Sequence, residues 1–307
     1  MRRPTSSTAS FWKRLFRGLQ IGLLGLAAIG LLEGRALALP VGDPEEAQDA
    51  EDHLPTWEEI DALGVDFTAI VALSNCSGSL VRFSSSSTGD YALVLTNGHC
   101  LSGFVAAGDA LVDQPSNRTF TLLGAEGRSL GTLRAQKMVY ATMTGSDFAL
   151  YRLTQTYAQL ASRYRVAPLT ISSRRAAPGT PVRIPSGFWR KIYSCSIDYF
   201  VPELREATWT FRDSIRFTQP GCETIGGTSG SPIVDAESKL VIGINNTGNE
   251  KGAMCTMNNP CEVDSTGKTS AYKGAAYGQQ LFPIYSCLDA GNKINLTKTG
   301  CTLQKPK

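Results

Sequence analysis

Short apolar runs alternating with Gly, Ser, Asn and Asp turns dominate this chain from residue 67 onward. They fall at 69–73, 78–83, 92–96, 120–123 and 148–153, then at 182–184, 191–197, 208–218, 231–234 and 240–244. Most are too short for a helix that buries a face, and turn residues recur at roughly 10- to 20-residue spacing. That pattern predicts an all-β fold. Helical periodicity is confined to 154–165, and no internal repeat is present. The 30 Gly and 15 Pro in 307 residues suit a turn-rich globular protein of one or two domains.

The chain opens with Arg2, Arg3, Lys13, Arg14 and Arg17, then an apolar run at 21–32, then the small residues around Ala36 and Ala38. This is the layout of an export signal over 1–38, and its apolar core is short for a span of about 20 residues. An uncleaved anchor is the competing reading. Residues 1–38 hold six basic and one acidic residue, so their removal turns the formal charge of +3 into −2. Residues 39–62 carry nine acids and no Lys or Arg, the composition of a solvated linker or of a propeptide that covers a basic domain. Residues 63–307 form the remaining domain, with 24 basic and 17 acidic residues.

Eight cysteines, Cys76, Cys100, Cys195, Cys222, Cys255, Cys261, Cys287 and Cys301, follow this signal. An even number behind an export signal reads as a disulfide framework. Metal binding is disfavoured, because no Cys-x-x-Cys pair is present and the chain has only two His residues. His53 lies in the acidic run, which leaves His99 as the one imidazole base of the folded domain.

Three stretches carry chemistry. Residues 91–100 form an apolar strand that delivers His99 at its end. Residues 145–153 place Asp147 at the head of another apolar strand. Residues 226–232, Gly-Gly-Thr-Ser-Gly-Ser-Pro, put Ser229 on a glycine turn ahead of a third strand. Glycines permit the sharp turn and positive φ that let neighbouring N–H groups converge on an oxyanion. A serine hydroxyl needs a base, and the base needs an anion to fix its tautomer. All three types occur here, in the order His, Asp, Ser, separated by 48 and 82 residues.

Thr96-Asn97-Gly98-His99-Cys100 resembles the Thr-Ala-Ala-His-Cys motif of chymotrypsin-like serine proteases, also called trypsin-like. Ser146-Asp147-Phe148-Ala149-Leu150 resembles their Asn-Asp-Ile-Ala-Leu motif, and residues 227–232 their Gly-Asp-Ser-Gly-Gly-Pro motif. The resemblance, of the bacterial, secreted type, covers about residues 67–287. It implies two packed six-stranded antiparallel β-barrels, approximately 63–160 and 170–290, with the active site in the cleft between them and a C-terminal tail. It implies a linker near 157–171. It further implies Ser229 as nucleophile, His99 as base, Asp147 as its partner, and the N–H groups of Gly227 and Ser229 as oxyanion hole. No metal or organic cofactor is required by that mechanism.

The same resemblance pairs Cys76 with Cys100. Cys287–Cys301 is the expected tail bond, leaving Cys195–Cys222 and Cys255–Cys261, with Cys222–Cys255 as the alternative. Asn246, Thr247 and Gly248 correspond to the strand that pairs with substrate backbone and lines the specificity pocket. Glu223 lies near the family's pocket-floor carboxylate, although Cys222 is displaced from the family spacing. Thr228 stands where animal digestive members carry the Asp that pairs with a new N-terminus, so activation by that ion pair is not expected. The resulting expectation is a secreted, monomeric serine endopeptidase acting on a protein or peptide substrate. It includes no nucleic acid and no stable membrane association after signal removal. A catalytically silent peptide- or protein-binding relative is the alternative. An esterase with a Gly-x-Ser-x-Gly elbow would place Ser before His in the chain.

Overall fold

The computed structural model describes residues 65–307. The expected signal segment 1–38 and acidic segment 39–62 lie outside the described residues. Seven strands come first: β1 (Ile70–Ala72), β2 (Ser77–Arg82), β3 (Tyr91–Thr96), β4 (Ala110–Pro115), β5 (Thr119–Leu123), β6 (Ser129–Thr142) and β7 (Phe148–Thr156). Six of them run β1-β5-β6-β7-β3-β2, and β2 pairs back onto β1, so an antiparallel six-stranded barrel closes. β4 lies on the outside of this ring against β6.

A helix, α1 (Tyr157–Tyr164), and a short strand, β8 (Leu169–Thr170), follow. The periodicity suggested a helix over 154–165. Its start is later because residues 154–156 complete β7, and Thr156 then caps the helix. The Thr156 hydroxyl accepts from the Gln159 N–H, and the Gln159 side chain accepts from the Thr156 N–H.

The second half contains β9 (Pro181–Ser186), β10 (Lys191–Glu206), β11 (Trp209–Phe217), β12 (Pro232–Asp235), β13 (Val241–Gly248), β14 (Cys261–Val263), β15 (Thr269–Ser270) and β16 (Ala276–Gln280). The order β11-β16-β13-β12-β9-β10 closes through the β10–β11 pairing. The fold is therefore all-β, with two six-stranded antiparallel rings, as the sequence resemblance implied. β14 and β15 extend off β10.

The continuous apolar runs have a simple cause. Side chains alternate across a strand, and β3 and β7 are covered on both faces. Ala92, Val94, Ala149, Tyr151 and Leu153 fill the first barrel. Leu93, Leu95, Phe148 and Leu150 turn outward into a second apolar layer, shared with Val234, Val241 and Ile244 of the second barrel and Ile284 of the tail. Val182, Ile184, Ile215, Phe217 and Ile233 fill the second barrel. This packing fixes the two rings against each other, and the strand ends at their junction form the site.

The disulfides are Cys76–Cys100, Cys195–Cys222, Cys255–Cys261 and Cys287–Cys301. The alternative Cys222–Cys255 is not formed. Among the described residues no helix is long and apolar enough to cross a membrane.

Candidate active site

The register of β3 against β7 brings the first two candidate residues together. Thr96 pairs with Ala149, so the residues just beyond Thr96 face those just before Ala149. Here β3 ends in a single 3-10 turn, Gly98–Cys100. The His99 Nδ1 lies 2.7 Å from Asp147 Oδ2. The other oxygen, Oδ1, accepts the N–H of Gly98 at 2.6 Å and that of His99 at 3.2 Å. The Asn97 side-chain amide donates to the Asp147 carbonyl at 2.7 Å. Asp147 is 1% exposed, and a buried carboxylate has to be hydrogen-bonded, which the Gly98 and His99 N–H groups and the imidazole do here. Gly98 is required at its position, because a Cβ there would lie 2.2 Å from the Thr142 carbonyl oxygen. The Cys76–Cys100 bond ties the same turn to the chain just before β2.

Against the Asp147 carboxylate oxygen, Nδ1 of His99 is the donor and Nε2 keeps its lone pair. Burial lowers the His99 pKa. The Asp147 charge and hydrogen bond, with a smaller contribution from Glu206, more than offset it, and the net shift is upward.

Ser229 arrives from the other barrel. It sits between Gly227 (φ +91°) and Gly230 (φ +84°), just ahead of β12. Its backbone carbonyl accepts the Ser77 N–H at 2.8 Å, and the Gly230 N–H bonds the Asn245 carbonyl at 3.0 Å. Gly230 has no room for a side chain: a Cβ would lie 2.2 Å from the Ser77 carbonyl oxygen. The Ser229 turn is thus pressed against β2 of the first barrel by backbone contacts. Thr228 is fully buried, and its hydroxyl has no hydrogen-bond partner among the described residues.

The Ser229 hydroxyl donates to the Asn246 carbonyl at 3.2 Å. Among the described residues no hydrogen bond joins it to His99. The N–H groups of Gly227 and Ser229 likewise have no acceptor there. His99, Asp147 and Ser229 line one cleft, together with Asn246, Thr247 and Gly248. Glu223 does not line it. Its side chain is exposed and accepts the Gly221 N–H at 3.0 Å.

An acid that the sequence did not mark takes part instead. Glu206 closes β10, is 7% exposed and lines the cleft. Its Oε1 accepts the Asn258 N–H at 2.7 Å. Burial raises its pKa, against hydrogen bonds from Thr247 and Asn258 and the charge of His99. An acid at a hairpin tip, Glu206-Ala207-Thr208-Trp209, is ordinarily solvated, so no local signal singles it out. Phe104 and Trp209 meet edge to face at 5.3 Å and wall the same cleft. Met257 lines it from the loop closed by Cys255–Cys261.

Cys76, His99 and Cys100 form a compact group of potential metal ligands, but the two sulfurs are bonded to each other and cannot ligate.

A family model described as trypsin-like peptidase domain matches residues 76–244. Solved structures are similar at low identity. The MamO protease domain of Magnetospirillum magneticum is 16% identical, with 73% of this chain and 97% of that one covered at a TM-score of 0.44. The Rv3671c protease of M. tuberculosis is 14% identical, with coverages of 78% and 81% and a TM-score of 0.41. A Nocardiopsis protease is 15% identical, with coverages of 70% and 93% and a TM-score of 0.40. No curated protein matches the chain.

Proposed function

The chain belongs to the trypsin-like peptidase family, and from that premise we propose that it is an exported serine endopeptidase using Ser229, His99 and Asp147. The observation that carries this reading is the 2.7 Å contact between His99 Nδ1 and the buried Asp147 carboxylate, in a cleft that Ser229 also lines. An imidazole so held presents Nε2 to the cleft as a base.

In the proposed reaction the Ser229 hydroxyl leaves the Asn246 carbonyl by rotation about Cα–Cβ and turns toward His99 Nε2. A peptide carbonyl then takes the Oγ lone pair while the hydroxyl proton passes to Nε2. Asp147 stabilises the imidazolium that forms, and Glu206 adds a second negative charge. The oxyanion is bonded by the N–H groups of Gly227 and Ser229. The amine leaves with the proton from Nε2, and water releases the acyl group by the same steps. Substrate backbone is expected to run along Asn246–Gly248, the accessible end of β13. The substrates are proteins or peptides, and the mature protein acts as a secreted monomer.

The test is cleavage of a mixed peptide library by the protein lacking residues 1–38. The Ser229→Ala and His99→Ala variants should each lose nearly all hydrolysis while staying folded. Retained turnover in either removes the assignment. A second reading, a silent relative that binds peptides in the cleft, draws on the Ser229 hydroxyl resting on Asn246 rather than on His99. A fluorophosphonate probe that leaves Ser229 unlabelled would favour it.

A further inference from the structure

The loop between β9 and β10 meets the Ser229 turn at Gly226 and Gly227, and Ser77 of β2 joins the two segments. The Trp189 indole Nε1–H donates to the Gly226 carbonyl at 2.8 Å. The Phe188 ring lies against Gly227, where a Cβ would come within 2.7 Å of its Cδ1. Ser77 Oγ donates to the Gly227 carbonyl at 2.9 Å, and it accepts from the Phe188 N–H at 3.1 Å. Ser186 Oγ, 3.0 Å away, completes that hydroxyl's bonding.

The first contact has a geometric consequence. A peptide unit is planar and trans, so its C=O and N–H point in opposite directions. Fixing the Gly226 carbonyl therefore fixes the Gly227 N–H on the other side of the same plane. That N–H is one of the two donors assigned above to the oxyanion hole. Glycine on both sides leaves this plane with little intrinsic preference of its own. Rotating it by half a turn would point a carbonyl oxygen where a donor is needed.

The loop is itself anchored. Arg190 donates through Nε to the Gly187 carbonyl at 2.9 Å and through Nη1 to the Gly127 carbonyl of the first barrel. Gly187 is pressed against β1, with a Cβ position 2.3 Å from the Val71 carbonyl oxygen. Phe188 and Trp189 brace each other edge to face at 4.9 Å. Trp189 nevertheless leaves 47% of its surface exposed.

We propose that Trp189 is a positioning residue for transition-state stabilisation: by holding the Gly226 carbonyl, it keeps the Gly227 N–H directed into the oxyanion hole. This rests on the serine-peptidase reading above. Trp189 touches no reacting atom, and its effect falls on the step in which charge develops on the substrate oxygen.

The Trp189→Phe variant keeps an aromatic ring on Phe188 and removes the donor. Its kcat should fall about three- to tenfold with KM within about twofold, the signature of an interaction made in the transition state. Affinity for a peptide aldehyde, which forms a tetrahedral adduct with an oxyanion, should weaken by the same factor. Affinity for the corresponding peptide amide should not change, and neither should the melting temperature. Wild-type kcat and aldehyde affinity in Trp189→Phe would overturn the proposal, as would equal losses for aldehyde and amide. If the wild-type protein hydrolyses no peptide, the peptidase reading fails and this proposal falls with it. A wild-type protein that is active alongside a Trp189→Phe variant of equal activity refutes the positioning role alone.

Discussion

Replacing Asp147 by Asn tests the charge arrangement at its centre, because the surrounding donors dictate how the amide must sit. One face of the carboxylate meets two backbone N–H groups, those of Gly98 and His99, at 2.6 and 3.2 Å. The other meets His99 Nδ1 at 2.7 Å. An amide has one acceptor end and one donor end. Turning its NH₂ toward Gly98 and His99 would set donor against donor twice and leave buried N–H groups unbonded, each costing about 1–3 kcal/mol. The oxygen therefore takes the backbone pair, and the NH₂ faces Nδ1. Nδ1 must then accept, the proton moves to Nε2, and the ring can no longer take a proton from Ser229. In the serine-peptidase template such a tautomer error lowers kcat by about four powers of ten, equivalent to about 5 kcal/mol of barrier. Steady-state hydrolysis of a peptide found in the library screen measures the loss. Nitrogen-15 spectra of the imidazole report which nitrogen bears hydrogen. A variant with kcat within tenfold of wild type, or with hydrogen still on Nδ1, refutes the reasoning.

Other outcomes follow from the same geometry. In the proposed mechanism His99 is a base only when neutral, and its pKa is raised. The acid limb of kcat/KM should therefore lie above that of an ordinary histidine. Glu206→Gln removes one of the charges that favour imidazolium, so the limb should move to lower pH; a limb that stays in place or moves up contradicts the contribution assigned to Glu206. Gly230→Ala would put a methyl group 2.2 Å from the Ser77 carbonyl oxygen at φ +84°. The strain and overpacking should cost about 2–5 kcal/mol and lower the melting temperature by at least about 4 °C. An unchanged melting temperature would show that the turn is free to move away from β2.

Much of this molecule was legible in the order of its residues. The runs at 92–96 and 148–153 read as strands because both faces are covered, one by the first barrel and one by the layer between barrels, so both parities had to be apolar. The capped helix was visible in its periodicity, three residues early. β6 escaped notice, since at its beginning Ser129, Leu130, Arg134 and Gln136 are exposed and interrupt the apolar pattern. β16 also escaped. It is wholly buried, yet it carries Gly278 and two glutamines. A Cβ at Gly278 would meet Ile233 Cδ1 at 2.3 Å and the Ile244 carbonyl oxygen at 2.8 Å.

By itself, the order of residues determined the class of fold and named His99, Asp147 and Ser229 as candidates. Strand alternation, turn chemistry and motif spacing are properties of neighbours along the chain. Tertiary structure alone decided that Glu223 turns away while Glu206 enters the cleft, and that Trp189 reaches a carbonyl 37 positions on. Those outcomes depend on how two closed barrels pack and on where a hairpin tip and a loop come to rest. No periodicity in the sequence records such long-range approaches, because a single side chain crossing between elements leaves no repeating trace.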